Sequence, residues 1–183
     1  MKSINKRLGL IILAISFGGM IAKAQDLQTA RNLTRSERFE EAETAYKTLL
    51  QKEPNNSDAY FYYGESSIKQ YLADTFSVAK AEVVKNTTEI FKKGLSVDTN
   101  NALNLVGLGM VELLNNGDTI KADKWFNRAA SKVPAKASKC QDKDVRVLIS
   151  LGTAQIYGKN KRFSKALGYL EKAKEATTDK KTS

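Results

Sequence analysis

The sequence predicts an all-α fold, a solenoid of about four irregular helical hairpins. Three observations carry that expectation. A small residue, an aromatic four positions on and a proline eight further occur as Ala42, Tyr46 and Pro54, and again as Ala122, Phe126 and Pro134. A second pattern, two bulky residues three apart and then glycine, occurs as Tyr60, Tyr63, Gly64, as Leu103, Val106, Gly107 and as Leu148, Leu151, Gly152. The chain of 183 residues holds only two prolines and eleven glycines, which argues against low-complexity disorder.

Residues 1–24 stand apart. A basic start, "MKSINKR", precedes the apolar run "LGLIILAISFGGMIA" and the small-residue ending "AKA". These are the three parts of a secretory signal peptide, with cleavage expected between Ala24 and Gln25. The apolar run is short of the roughly 20 residues that a spanning helix needs, so no integral anchor is expected after cleavage. Export to a periplasm or cell envelope follows from this reading.

The first unit, residues 25–54, contains "RFEEAETAYKTLLQKEPNN", an amphipathic helix ended by Pro54. Proline stops a helix because it lacks the amide donor and clashes with the preceding turn. Ala30 takes the glycine slot of the helix before it. The second unit, 55–99, carries the weaker copy Thr87, Phe91 and Thr99, and its two patterns are separated by the extra segment "KQYLADTFSVAKAEVVK". That segment is expected to add about three helical turns. The third unit spans 100–134. The fourth, 135–176, has Ala166 and Leu170 with Thr178 in the proline slot, and a basic tail, 177–183, follows.

At these residues the chain resembles the tetratricopeptide repeat (TPR) family, whose pattern is W-x2-L-G-x2-Y, A-x3-F and P over 34 residues. The tryptophan slot is filled by other residues in every copy. The resemblance implies that small slots (Gly64, Gly107, Ala42, Ala122) let helices approach, while Tyr46, Phe91, Phe126 and Leu103 fill the space between them. It also implies a non-enzymatic scaffold that binds a partner protein, with the first helix of each unit lining a concave face. The residues expected there are Arg31, Phe61, Tyr62, Glu65, Asn101, Asn104, Leu108, Arg146 and Thr153. Asn101 and Asn104 are assigned to a peptide backbone, since an amide both donates and accepts, and Phe61, Tyr62 and Leu108 to apolar anchoring. On this expectation, Asn104→Ala combined with Phe61→Ala weakens partner capture without unfolding the chain. The carboxylate clamp of one TPR subclass is not carried over, because its slots read Leu27, Arg31, Tyr62, Asn101 and Leu105 and only Arg31 suits.

Chemistry narrows the functional classes. The chain has no histidine and one cysteine, Cys140, in the polar stretch "KASKCQDKD". The commonest general base, thiolate metal clusters and an internal disulfide are thereby excluded. No phosphate-binding loop, nucleophile elbow or dinucleotide fingerprint occurs, so neither catalysis nor a cofactor is expected. The acid pairs Glu40/Glu41 and Asp142/Asp144 read as solvated surface.

The formal charge of +10 is uneven. Residues 25–131 hold 13 bases and 15 acids; residues 132–183 hold 13 bases and 5 acids. The basic clusters Lys132, Lys136, Lys139, Lys143 and Lys159, Lys161, Arg162, Lys165 give the rival class, electrostatic binding to an anionic envelope polymer or membrane surface. Without interleaved aromatics, and with export expected, nucleic acid is not an expected partner. Leu167, Leu170 and Ala173 are expected to leave an apolar edge at the end of the array, because no further helix pattern follows. That edge implies either self-association or a place in the N-terminal part of a longer TPR protein.

Overall fold

The computed structural model describes residues 26–115, 117–133 and 140–178. The expected signal peptide and its cleavage point, Pro134, Lys136, Lys139 and residues 179–183 lie outside the described residues. Those described form eight helices and no strand: α1 (residues 26–35), α2 (Phe39–Lys52), α3 (Ser57–Ala73), α4 (Lys80–Val97), α5 (Ala102–Asn115), α6 (Thr119–Ala130), α7 (Cys140–Lys159) and α8 (Phe163–Thr178). They pair in order as antiparallel hairpins, and successive hairpins stack. No described helix is long and apolar enough to cross a membrane.

Local chemistry sets the helix ends. The carboxamides of Asn56 and Asn101 and the carboxylate of Asp118 each accept the backbone N–H three residues on, at 3.1, 2.9 and 2.9 Å. Each side chain thus satisfies one of the donors that a helix start leaves open, before α3, α5 and α6 respectively. The turns inside the first and fourth hairpins share one geometry. Glu37 and Lys161 adopt left-handed backbone, with φ 58° and 57°. The next amide then reaches back five residues, from Arg38 to the Leu33 carbonyl (3.0 Å) and from Arg162 to the Tyr157 carbonyl (2.8 Å). This Schellman closure ends α1 and α7 in a few residues and folds the chain back on itself.

The extra segment of the second unit divides between two helices. α3 and α4 run to 17 and 18 residues, longer than α5 and α6 at 14 and 12. A turn over residues 74–79 joins them and leaves Phe76 98% exposed. The expected helical turns are present, but they lengthen both arms of the hairpin and carry its tip out from the array.

Packing follows the repeat slots. Ala42, Thr87 and Ala122 are wholly buried, beside Tyr46, Phe91 and Phe126 in the aromatic slots. Glycine is required where those rings lie. A Cβ on either Gly64 or Gly107 would stand 2.5 Å from the Phe91 ring, so that ring is clasped between two first helices. Gly109 and Gly152 clasp the Phe126 ring in the same way. One continuous cluster runs from Ala30 to Ile156. α5 lies at its centre, with Leu103, Leu105, Val106, Leu108, Val111 and Leu113 all buried. A helix apolar on every side is one enclosed on every side, and α5 packs against α3, α4, α6 and α7.

Candidate partner-binding cleft

The array curls until its two ends meet. Arg31 of α1 reaches Asp144 of α7, with guanidinium and carboxylate 4.0 Å apart and both side chains partly exposed. Between these helices, α3 and the last turn of α8, lies a cleft of about 210 Å³. Arg31, Thr34 and Arg35 come from α1, Phe61, Tyr62, Glu65 and Lys69 from α3, Asp144, Val147 and Leu148 from α7, and Thr177 from α8. No α5 residue lines it. The space suits one or two side chains of an extended segment better than a helix, which is about 10–12 Å across.

Its floor is aromatic and its rim charged. The Arg31 guanidinium stands 4.1 Å over the Tyr62 ring, a cation–π contact that presents the apolar face of the arginine to the cleft. Phe61 meets Tyr62 edge to face at 5.1 Å and holds that ring in place. Lys69 pairs with Glu65 at 2.9 Å. Burial pushes the Tyr62 phenol up to about 12, with Arg31 opposing and Asp144, Asp58 and Glu65 reinforcing the shift. Burial also raises Tyr46 to about 12, against the opposing hydrogen bond with Thr34. The Thr34 hydroxyl donates to Ser66 at 3.0 Å and lies 3.3 Å from the Tyr46 hydroxyl, so α1, α2 and α3 are tied beneath the cleft by polar contacts.

The structure therefore divides the residues expected on the concave face. Arg31, Tyr62 and Glu65 line the cleft, and Phe61 forms its fully buried floor. Asn101, Asn104 and Leu108 do not: they are buried, contrary to the partner-binding roles expected of them. Asn104 is 0% exposed, and its amide Nδ2 donates to the Ser57 carbonyl at 2.9 Å and to Asn101 Oδ1 at 3.0 Å. Asn101 caps α5 and donates to Asp58 at 2.6 Å. Both amides join the second and third hairpins through these bonds, and both side chains are held inside the fold. Leu108 is core. Phe61, expected as an exposed anchor, is likewise packed against Phe91. The physical reason is curvature: α1 and α7 close over the inward side of the array, and α5 is enclosed. Arg146 and Thr153 are half-buried on α7 outside the cleft lining, Thr153 donating to the Ile149 carbonyl at 2.8 Å.

Sequence reasoning missed Arg35, Lys69, Asp144, Val147 and Leu148. The α7 set shows a helical signal, with spacings of three and one. It lies on a different side of α7 from Arg146 and Thr153, and Ile149 and Ile156, on the side of those two, pack into the core. Among the described residues, no three acid or cysteine side chains are placed to hold a metal ion.

No family model and no curated protein sequence matches the chain. Solved structures do. The crystal structure of TTC0263, a thermophilic TPR protein of Thermus thermophilus, aligns with TM-score 0.65 at 17% identity, over 93% of this chain and 88% of that one. The chain has a TPR-like fold. The MamA RS-1 ArsTM double mutant aligns with TM-score 0.51 at 12% identity, over 88% of this chain and 78% of that one. In TPR terms, α1, α3, α5 and α7 are the first helices of their hairpins, and three of these four supply the cleft.

Proposed function

We propose that this chain is a non-enzymatic interaction scaffold that holds an extended segment of a partner protein in the cleft between its first and last hairpins. The observation that carries the reading is the convergence of α1, α3 and α7 on one aromatic-floored, charge-rimmed space. An apolar partner side chain enters against Tyr62, Val147 and Leu148. Polar groups of the partner meet Arg31, Arg35, Glu65 and Lys69, whose charges of both signs suit a peptide backbone with mixed side chains. The basic start, apolar run and small-residue ending of residues 1–24 support placing this scaffold in an exported compartment, the periplasm or envelope.

The test is affinity capture from an envelope fraction with wild type and an Arg31→Met/Glu65→Gln variant. Glu65→Gln keeps side-chain length and Arg31→Met keeps much of the aliphatic stem; both remove a charge, and thermal unfolding checks that the variant is folded. A partner seen with wild type and lost with the folded variant supports the proposal. Equal capture by the two overturns it.

A further inference from the structure

The lengthened second hairpin ends in an apolar tip. Its turn, residues 74–79, holds Phe76, which is 98% exposed, and Val78; Leu72 precedes the turn at the end of α3, and all three are exposed. Single exposed apolar side chains are ordinary, whereas here three are grouped on one tip. Asp74 fixes the turn: its Oδ1 accepts the Phe76 amide at 3.0 Å, and its carbonyl accepts the Ser77 hydroxyl at 3.0 Å. The Phe76 ring is thus presented to solvent by a formed turn, at the end of two long helices.

The same chain carries a hole of matching chemistry. The cleft of about 210 Å³ takes a side chain against Tyr62, Val147 and Leu148. Both of its carboxylates are engaged, Asp144 by Arg31 and Glu65 by Lys69. The third cation, Arg35, is exposed; it donates to Asn32 at 3.3 Å and pairs with no carboxylate among the described residues. An entering apolar side chain is therefore best accompanied by a carboxylate close to it in its own segment. The tip has that pairing, since Asp74 is the only charged residue of the turn and stands two residues before Phe76. One Asp74 oxygen accepts the turn amide, and the other is chemically suited to a guanidinium.

We propose that the Phe76 tip of one copy seats in the Arg31–Tyr62 cleft of a second copy. The inference rests on the reading of that cleft as the partner site and names the partner. Phe76 enters against Tyr62, Val147 and Leu148, and Asp74 meets Arg35. Lys80, the next charge along the chain, finds Glu65 and Asp144 on the same rim. A two-fold pair seats both tips at once; any other arrangement is head to tail and grows a ring or a filament. Burial of so exposed a ring favours association by roughly ten- to a hundredfold.

The test is sedimentation velocity of the full chain at up to about 1 mM, which reaches weak contacts. Wild type should associate. Phe76→Ser should weaken this at least tenfold. Arg35→Glu, which sets two carboxylates against each other at the rim, should weaken it as well. Both side chains are exposed, and circular dichroism checks that each variant is folded. The deciding arm is the mixture. The Phe76→Ser chain keeps an intact cleft and the Arg35→Glu chain an intact tip, so the two should associate with one another at a concentration where each alone is monomeric. A wild type that is monomeric throughout, association unchanged by Phe76→Ser, or a mixture that stays monomeric overturns the proposal. A monomeric chain that loses an envelope partner on Phe76→Ser would assign the tip to another protein and overturn it too. If these arms fail while Arg31→Met/Glu65→Gln still abolishes envelope capture, the cleft holds a different partner and only this inference falls.

Discussion

Replacing Asn104 and Phe61 by alanine separates a scaffold role from a contact role. Asn104 Nδ2 donates to the Ser57 carbonyl and to Asn101 Oδ1, and lies 3.1 Å from the Ser57 hydroxyl, all in a wholly buried setting. Alanine leaves these buried acceptors short of a donor, which costs about 1–3 kcal/mol. Asn104 Oδ1 itself meets no donor among the described residues. Its removal recovers part of that cost, so about 2 kcal/mol is expected net for Asn104→Ala. Phe61→Ala empties a fully buried aromatic site and costs about 3–5 kcal/mol. Together these approach the whole stability of an ordinary domain, about 5–15 kcal/mol. Loss of partner capture by the double variant would therefore report unfolding. Urea unfolding of each single variant is the assay. With a slope of about 1–3 kcal/mol per molar, Asn104→Ala should lower the midpoint by roughly 1 M at unchanged slope. A wild-type midpoint for Asn104→Ala would refute the placement of this amide between the second and third hairpins.

Two further outcomes follow from the structure. Glu37→Gly and Lys161→Gly should each raise the urea midpoint, by about 0.5 kcal/mol in stability, because left-handed backbone costs a side-chain-bearing residue about 1–2 kcal/mol and glycine returns part of this as unfolded-chain entropy. A lowered midpoint for both would contradict the shared Schellman turns. Stability should also fall steeply above pH 10. Tyr46 and Tyr62 keep their protons in the folded chain up to about 12, whereas unfolded tyrosine releases its proton near 10. Between these values the unfolded state binds fewer protons, so each phenol removes about 1.4 kcal/mol per pH unit as pH rises, and below pH 10 neither contributes any dependence. Urea midpoints measured from pH 8 to pH 12 check this, and a flat profile above 10 would refute it.

The slots that pair a small residue with an aromatic were legible because their chemistry is local. A ring at Phe91 needs space, and Gly64 and Gly107 recur at the right offsets to provide it. The helix caps were legible too, since an asparagine before an apolar run is a start signal. Asn101 carried that signal and was assigned to a ligand instead, because repeat register alone placed it on an inward face. Register does not contain curvature. Whether α1 and α7 meet depends on rotations accumulated over every hairpin, including the lengthened second one. No single motif states that sum. Thus Arg31, Tyr62 and Glu65 were found through α1 and α3, which are consecutive first helices, whereas Asp144, Val147 and Leu148 required the closed superhelix.

Closure also determines where recognition can occur. In an open array, every first helix offers a strip of the same face, and partner binding is spread along it. Here α5 contributes Asn104 and Leu108 to the interior. At the ends lie the space framed by Arg31 and Asp144 and the exposed line from Phe163 to Leu170. The first is small, aromatic and charged with both signs. The second is an exposed apolar line. Surfaces so different in shape would suit different partners.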